Sequence, residues 1–369
     1  MRLITCIFAL YFVSSAFAQE SCKTPNGETA KCVSIFACPI LYESGRSGGP
    51  EAYRFLQQSV CKKSFYNIYV CCGSDTIFKP QEIVSKTPDM LADAPRNNYI
   101  AKRSECGYMN PDFRIYGGNK TGLDEFPWMA LLEYQSLKDG ERSFRCGGSI
   151  IGRRHILTAA HCVTGVASRY YRLVNIRLGE WNTSSTSDCV NIGKKKECSD
   201  PVLNMGFERI TPFAGYEDGS RYNDIALIRL DRDIKYSKFV SPICLPMEEK
   251  QVVKPNAKMI VAGWGQTENG TNSEVKLRVQ VPIVNYRDCA RKFGRSLKVT
   301  DNQICAGGQK NKDSCTGDSG GPLMLRNSET DQWLTEGIVS LGKGCGEEGW
   351  PAVYTKVRPF VKWIKKHAY

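Results

Sequence analysis

The stretch between Asp313 and Pro322 contains the residue types that nucleophilic catalysis needs. Ser319 stands between Asp318 and a pair of glycines, with Gly317 one residue further upstream. Glycines leave the backbone unshielded and able to adopt positive φ, so this turn can present a hydroxyl outward while backbone N–H groups point at a reacting oxygen. A serine in a glycine-rich loop is common, and a nucleophile therefore needs a base and an acid elsewhere in the chain.

Histidine is the usual base for a nucleophilic serine, and the chain has 3 histidines. His155 follows two arginines, which favours a surface position, and His367 lies among lysines, where a solvated position is expected. His161 ends an apolar stretch that a cysteine closes, and it is the candidate base. A lone histidine of this kind is more often structural than catalytic, so its combination with Ser319 carries the hypothesis.

The acid that orients a catalytic histidine should be anionic and buried. Asp224 opens the apolar run Asp224–Leu230 and is the candidate. A carboxylate at the edge of a core can accept a hydrogen bond from one imidazole nitrogen and fix the tautomer. The alternative is a turn aspartate at the start of a strand, which is the commoner role of aspartate beside asparagine and tyrosine.

The first residues and the cysteine content place the chain in the secreted class. Residues 1–18 combine a charged start, an apolar run and an Ala-Phe-Ala cleavage site, the pattern of a secretory signal. No other segment approaches about 20 apolar residues, so no membrane span is predicted. One of the 17 cysteines lies in the signal, and the even remainder indicates disulfides. Three N-glycosylation sequons, which suit a secreted protein, begin at Asn119, Asn182 and Asn269.

Charge and metal-ligand content exclude other classes. The net charge of +12 is interpreted as a soluble basic surface. The densest cationic run, Lys194–Lys196, is short and lacks interleaved aromatic residues, so no nucleic-acid partner is predicted; a polyanion or an acidic partner face is the alternative. The sequence has no C-x-x-C motif and few histidines, so a zinc framework is not expected.

Composition divides the mature chain into three parts. Residues 22–72 hold six cysteines, a density typical of a small disulfide-stapled module, and the spacing leaves many pairings open. Residues 73–114 are a linker and activation segment, since prolines are scattered among polar residues there. Residues 115–369 show dense short strands, typical of a sandwich or barrel, and end in an amphipathic helix over Pro359–His367.

Four motifs together resemble those of a known family. Their order along the chain, histidine before aspartate before serine, is that of the chymotrypsin-fold serine proteases. The six amino-terminal cysteines and the linker add a resemblance to the clip-domain serine proteases of arthropod haemolymph, of the easter-like and prophenoloxidase-activating type. The fold implied is mostly β, a double six-stranded barrel with a carboxy-terminal helix after a small clip domain. The motifs are Arg114–Gly118, Thr158–Cys162, Asp224–Leu227 and Gly317–Pro322.

The resemblance implies a role for each site residue. His161 is the general base, Asp224 orients it, and Ser319 is the nucleophile. The N–H groups of Gly317 and Ser319 form the oxyanion hole.

The resemblance also implies a primary specificity pocket for arginine or lysine. Asp313 lies at its base, with walls near Ser340, Gly342 and Ala352. Ala352 stands where trypsins usually have glycine, and Leu341 stands where trypsin has an aromatic residue. A tryptic but restricted specificity is therefore expected.

Activation is expected to follow the family pattern. Cleavage between Arg114 and Ile115 frees an α-ammonium, which pairs with Asp318 and orders the oxyanion hole and the pocket. The chain as synthesised is then a zymogen, and an upstream protease that prefers arginine activates it.

The resemblance also implies pairings for all cysteines outside the signal. Cys106–Cys244 would keep the amino-terminal part attached after activation. The full set implied is Cys22–Cys71, Cys32–Cys61, Cys38–Cys72, Cys106–Cys244, Cys146–Cys162, Cys189–Cys198, Cys289–Cys305 and Cys315–Cys345.

A structural calcium ion is considered for the loop where relatives bind one, although no cofactor is required for the chemistry. The oxygen sources are Glu180, Asn182, Asp188 and Glu197. Asn182 replaces an acid often found there and also begins a sequon, and the alternative is a solvated acidic loop.

Three functions fit the motifs. The first is an active regulatory protease of an extracellular cascade in the haemolymph, whose substrate is prophenoloxidase, in melanisation, or a Toll ligand precursor. Melanisation is slightly favoured, and an upstream protease and a serpin inhibitor are the other expected partners. The second is a catalytically silent clip-domain homologue that acts as a binding cofactor. The third is a digestive trypsin, which the docking module and long linker disfavour.

Overall fold

The structure is a computed structural model, which divides the chain into two compact units, up to Ala94 and from Pro95 on. The predicted signal and linker residues 77–98 lie outside the described residues. The described residues are 21–47, 55–56, 58–63, 68–76, 99–109, 120–165, 167–192, 195–246, 253, 255–267, 270–294, 297–310, 315–344 and 346–369.

The first unit is a small antiparallel sheet with a 3-10 turn, Ile35–Ala37, and helix α1, Pro39–Ser47. Its strand order is β1-β2-β4-β3. The buried core is small, and disulfides supplement such cores. Its disulfides are Cys22–Cys71, Cys32–Cys61 and Cys38–Cys72. The strands are β1 Ser21–Lys23, β2 Thr29–Ser34, β3 Val60–Lys63 and β4 Ile68–Cys72.

The first half of the second unit is a seven-stranded antiparallel sheet of order β11-β8-β5-β6-β7-β13-β12. Its two edge strands, β11 and β12, are consecutive and joined through Gly206, so the sheet curls until its edges meet. If β11 and β12 are counted as one bent strand, the sheet has six strands, as predicted for each barrel. The strands are β5 Met129–Ser136, β6 Arg142–Gly152, β7 His155–Thr158, β8 Tyr171–Leu178, β11 Leu203–Met205, β12 Phe207–Pro212 and β13 Ala226–Leu230.

Short elements decorate this half. A two-stranded ribbon, β9 Cys189–Ile192 and β10 Lys195–Cys198, extends between β8 and β11. Two single-turn helices, α2 Ala160–Val163 and α3 Ala167–Tyr170, connect β7 to β8.

The second half is a closed barrel of order β14-β15-β16-β19-β18-β17. Helix α4, Tyr286–Phe293, begins at an Asn285 cap whose side chain accepts from the Arg287 N–H. The predicted mostly-β fold with a carboxy-terminal helix is confirmed. The strands are β14 Lys258–Gly263, β15 Leu277–Val284, β16 Gln303–Gly307, β17 Pro322–Arg326, β18 Trp333–Leu341 and β19 Pro351–Lys356.

The carboxy-terminal helix joins the two halves. A 3-10 turn, Arg358–Phe360, leads into helix α5, Val361–His367. The rings of Phe360 and Trp363 pack on Phe213 with centroids 5.0 and 5.4 Å away. Burying this apolar face ties the end of the chain to the first half.

Two sequence-based predictions about histidines are wrong. His155 is fully buried rather than at the surface, because the segment before Cys106 covers β7: the Tyr99 and His155 ring centroids are 6.1 Å apart. The Ala101 N–H donates to the Ile151 carbonyl at 2.9 Å, which fixes that segment. His367 is half-buried rather than solvated, since its Nδ1 bonds the Trp363 carbonyl at 2.7 Å.

Candidate active site

His161 and Asp224 meet on the first half of the second unit. The His161 N–H donates to Asp224 Oδ1 at 2.8 Å, and its ring Nδ1 donates to Oδ2 at 2.7 Å. Two contacts from one residue fix both the position and the ring orientation of the histidine. With Nδ1 holding the proton, Nε2 is left as the basic nitrogen.

Asp224 is fully buried and receives a third hydrogen bond from across the unit. Ser340 Oγ donates to its Oδ2 at 2.5 Å. Burial alone would raise the pKa of Asp224, but the charge and hydrogen bonds of His161, with the bond from Ser340, hold that pKa below its ordinary value. The carboxylate is therefore anionic at neutral pH and stabilises positive charge on His161.

Local backbone geometry places these two side chains. His161 lies in α2, directly after β7, and Asp224 precedes β13, which pairs with β7. Asn223 has a φ of 54°, which asparagine tolerates better than most residues. Its Nδ2 donates to the Gly215 carbonyl at 2.8 Å, which holds the turn that delivers Asp224.

Ser319 belongs to the second half, and its backbone lies close to His161 and Cys162. The Gly147 N–H donates to the Ser319 carbonyl at 2.7 Å. The sulfur of Cys162 is 3.6 Å from the Ser319 carbonyl oxygen and 3.7 Å from His161 Nε2. The structure thus brings together His161, Asp224 and Ser319, which lie up to 158 residues apart in the sequence.

The backbone around Ser319 can receive a negative oxygen. Gly317 has a φ of 103°, in the region that favours glycine. Among the described residues, neither the Gly317 nor the Ser319 N–H donates to another group. Unpaired donors beside a nucleophile are what an oxyanion hole requires.

Gly320 is a close approach between the halves that the sequence did not reveal. A Cβ there would collide with Thr158 Oγ1 and lie 2.5 Å from the Gly147 carbonyl oxygen. Its φ of 80° also favours glycine. The missing side chain therefore lets the Ser319 turn lie on β6 and β7.

Asp318 occupies a niche shaped by two further glycines. Its carboxylate accepts from the Gly265 N–H at 2.9 Å and the Cys315 N–H at 3.0 Å. A Cβ at Gly263 or Gly265 would collide with it. Burial raises the pKa of Asp318, and the two backbone donors oppose that rise. The Gly-Trp-Gly spacing of 263–265 was the signal in the sequence.

The expected pocket walls adjoin this site. Ser340 and Ala352 are buried on β18 and β19, and a Cβ on Gly342 would lie 3.9 Å from the Ala352 Cβ. The methyl of Ala352 thus lines the space beside Gly342. Leu341 packs against the cluster around Phe293. Residues predicted for the pocket and activation that lie outside the described residues are Asp313, Arg114 and Ile115.

The oxygens considered for calcium already have protein donors. Arg177 Nη1 bonds Glu180 Oε2 at 3.1 Å, and Lys238 Nζ bonds Glu197 Oε1 at 2.6 Å. Asp188 accepts from the Asn182 N–H at 3.0 Å.

The acidic side chains of this loop do not converge on one point. The Asn182 Oδ1 accepts from the N–H and hydroxyl of Ser184. Within the described residues, Glu180, Asp188 and Glu197 do not form a set of three whose oxygens all lie within 4.8 Å of one another. The one such cluster is Cys146, His161 and Cys162, whose cysteines are disulfide-bonded. The calcium ion considered from the sequence stays a prediction, since calcium also binds amide and backbone oxygens.

The disulfides of the second unit are pairs that the resemblance implied. Cys315 is also disulfide-bonded, while Cys345 lies outside the described residues. Among the sequons, Asn182 is partly buried, and Asn119 and Asn269 lie outside the described residues. The pairs are Cys106–Cys244, Cys146–Cys162, Cys189–Cys198 and Cys289–Cys305.

Two β-barrel halves with histidine and aspartate on one and serine on the other define the chymotrypsin class of proteins. The Trypsin family profile matches residues 115–364, and the profile of the regulatory CLIP domain of proteinases matches residues 22–72. The chain therefore belongs to the trypsin family of serine proteases, in its clip-domain branch.

Relatives align along nearly the whole chain. Phenoloxidase-activating factor 1 of Holotrichia diomphalia is 40% identical, covering 99% of this chain and 99% of the relative. Phenoloxidase-activating factor 3 of the same beetle is 44% identical, covering 95% and 94%. The crystal structure of the Drosophila Grass clip serine protease of the Toll pathway has a TM-score of 0.62 and 34% identity, covering 94% and 96%. None of the described helices is long and apolar enough to cross a membrane.

Proposed function

We propose that the chain is the secreted zymogen of a serine endopeptidase with trypsin-like specificity, acting in an extracellular cascade of innate immunity. The carrying observation is the histidine held through two hydrogen bonds by a buried carboxylate, beside the backbone of Ser319. A purely binding homologue has no need to bury this anion and orient this ring.

The residues support acyl transfer. His161 Nε2 takes the Ser319 hydroxyl proton as the oxygen attacks the peptide carbonyl, and the Asp224 carboxylate stabilises the imidazolium. The Gly317 and Ser319 N–H groups receive the oxyanion, where one donor is typically worth about 3–4 kcal/mol. His161 then protonates the leaving amine, and water releases the acyl group by the same path reversed.

Specificity is proposed from the pocket residues. A carboxylate at Asp313 favours arginine or lysine before the cleaved bond, because an apolar side chain would leave it unpaired. The Ala352 methyl narrows the space beside Gly342 and alters the balance between arginine and lysine. This restricts the tryptic preference without abolishing it.

Activation is proposed at the bond between Arg114 and Ile115. The freed α-ammonium would neutralise Asp318, whose described partners are backbone N–H groups. Arg114→Gln should leave the secreted chain uncleaved and inactive. An equally active mutant chain would contradict this route. The Cys106–Cys244 disulfide would keep the light segment attached, so the activated protein should run as one species on non-reducing gels.

The decisive experiment separates an enzyme from a silent homologue. Activated wild type should hydrolyse an arginyl chromogenic amide, and Ser319→Ala should not. A matched control is Ser104→Ala, an exposed serine on the same unit. Hydrolysis that survives in Ser319→Ala would show contamination, and none in cleaved wild type would favour the binding cofactor.

The physiological substrate follows from the relatives' names. Relatives named phenoloxidase-activating factors favour prophenoloxidase, and the Toll-pathway title of the Grass structure keeps a Toll ligand precursor as the second candidate. An upstream protease and a serpin complete the proposed cascade. Incubating activated enzyme with each purified precursor, and sequencing the new amino termini, distinguishes them.

A further inference from the structure

An exposed surface beside the site is left unused by the chemistry. Leu137 and Tyr170 are among the exposed large apolar residues, at 55% and 62% exposure. The Leu137 N–H donates to the Tyr170 carbonyl at 2.8 Å, so the two are adjacent. The basic patch is defined as these two residues with Arg142, Arg145, Arg169 and Arg172, all four arginines being exposed.

Strand register places the arginines around the apolar pair. Gln135 of β5 lies opposite Arg142 on one side and Arg172 on the other, so both project from one sheet face. The Arg172 guanidinium holds the Gln135 side chain at 3.0 Å. Arg142 is 3.9 Å from Glu133, a loose pair for a side chain 61% exposed.

Two further arginines lie nearby. The Arg145 guanidinium lies 3.5 Å from the centroid of the Tyr171 ring, which fixes it without neutralising it. Tyr171 pairs with Ser136, so this contact lies on the sheet face opposite Gln135. Arg169 lies in the last turn of α3, next to Tyr170. The acids of the neighbouring turn, Asp139 and Glu141, leave positive charge in excess.

Arg145 is the member of the basic patch that lies nearest the catalytic cleft. Arg145 precedes Cys146, whose disulfide partner Cys162 follows His161. Two residues after Arg145, Gly147 bonds the Ser319 carbonyl. The patch therefore starts on the His161 side of Ser319, away from β18.

The side of the cleft defines which part of a substrate reaches the patch. With the basic side chain of the substrate in the pocket beside β18, the residues after the cleaved bond leave past His161. An extended segment covers about 3.3 Å per residue, so several downstream residues span this surface.

We infer that the basic patch binds an acidic stretch, with one apolar residue, downstream of the cleaved bond in the protein substrate. This rests on the proposed function and adds a substrate class to it. Positive charge selects the acids and speeds encounter, and the Leu137–Tyr170 pair takes the apolar side chain.

Three substrates test the inference. The first is a short arginyl amide that ends at the cleaved bond. The second is a quenched peptide with an arginine followed by an acidic stretch containing one leucine, and the third replaces those acids by lysine. The measured quantity is the kcat/KM of each peptide divided by that of the short amide.

Wild type should prefer the acidic to the basic peptide by about tenfold or more at low salt, as expected for several rim charges. The double variant Arg169→Glu with Arg172→Glu should lose that preference, and Tyr170→Ser should lower it about threefold. Lys366→Glu, a charge reversal on the exposed face of α5, is the matched control and should keep it. Equal use of both peptides by wild type overturns the inference.

A binding experiment separates this inference from the proposed function. Fluorescence anisotropy of the labelled acidic stretch alone, on activated Ser319→Ala, needs no catalysis. Binding that is lost in the double charge reversal supports the patch even if the short amide is never cleaved. The inference is overturned if the acidic stretch does not bind or if the lysine stretch binds equally well. It is also overturned if the patch binds heparin but not the acidic stretch.

Discussion

The two halves of the protease-like unit hold their parts of the site by different means. On the first half, the side chains of His161 and Asp224 hold each other, and Ser340 adds one bond. On the second half, Ser319 and Asp318 are held among the described residues through backbone groups and glycines. The base and its acid are therefore built by the fold, whereas the nucleophile's loop depends on close backbone approaches.

The largest effect should come from the side-chain half. Asp224→Asn keeps the volume but removes the charge and reverses one donor, so His161 loses its tautomer. The kcat for an arginyl amide should fall about 10⁴-fold, with KM little changed. Asp233→Asn, on an exposed aspartate, is the control. A loss below about tenfold would mean that Asp224 is only structural.

The second effect tests the backbone half. Asp318→Asn removes the carboxylate that bonds Gly265 and Cys315, and with it the order of the loop that carries the oxyanion donors. The kcat after activation should fall about 10²- to 10³-fold, the size of losing one oxyanion donor. The NMR signal of the His161 Nδ1 proton should be unaltered, because Asp224 still holds the ring; a displaced signal would contradict the division between halves. Asp331→Asn, 70% exposed, is the control.

Gly320 is where the two halves touch, and its substitution tests their contact. Gly320→Ala should destabilise the protein by about 2–4 kcal/mol, which combines the strain of positive φ with overpacking against Thr158. Gly270→Ala is a matched control, since its φ of 75° is similar but a Cβ there meets nothing within 4 Å. Thermal unfolding should therefore separate the variants by the clash alone. Equal melting temperatures for Gly320→Ala and Gly270→Ala would mean that the contact between the halves adjusts to accept the added methyl group.

The sequence predicted the parts whose chemistry is local. Residue type and the neighbouring pattern predicted His161, Asp224 and Ser319. The cysteine spacing predicted the clip module, and the helical period predicted α5. Each is a short-range signal in a few adjacent residues.

Contacts between residues far apart in the chain could not be predicted from the sequence. The burial of His155 depends on Tyr99, and the room for Asp318 depends on Gly263 and Gly265, more than 50 residues away. The patch around Tyr170 required the register of three strands. Such pairings are fixed by tertiary packing, and no local propensity encodes them.

His155 makes the first half acid-sensitive in a way that the second is not. Among the described residues, its buried ring nitrogens have no hydrogen-bond partner, and burial, with Arg229, Arg209 and Arg154 nearby, lowers its pKa from 6.5 to about 4. The unfolded chain then binds a proton that the folded chain refuses. Stability is full above pH 6.5 and is lost as pH falls toward 4, by at most about 3 kcal/mol.

The variant His155→Phe removes this proton and tests the effect. Its melting temperature should fall less than that of wild type between pH 7 and pH 4.5, because the remaining loss comes from carboxylates. The control is His367→Gln, a half-buried histidine of α5. Parallel pH profiles for wild type and His155→Phe would contradict the assignment.

The smallest expected effect concerns the loop between β8 and β11. Arg177 and Lys238 pair with acids of this loop. Lys276 is a buried lysine among carboxylates, and burial lowers the pKa of Lys276 to about 8. Cations from the chain itself therefore already neutralise part of the negative charge of this loop. Chelation by EDTA should change neither the melting temperature nor the hydrolysis of an arginyl amide, and millimolar calcium should add nothing. A melting temperature that rises with calcium in wild type would show that the loop rearranges to bind it.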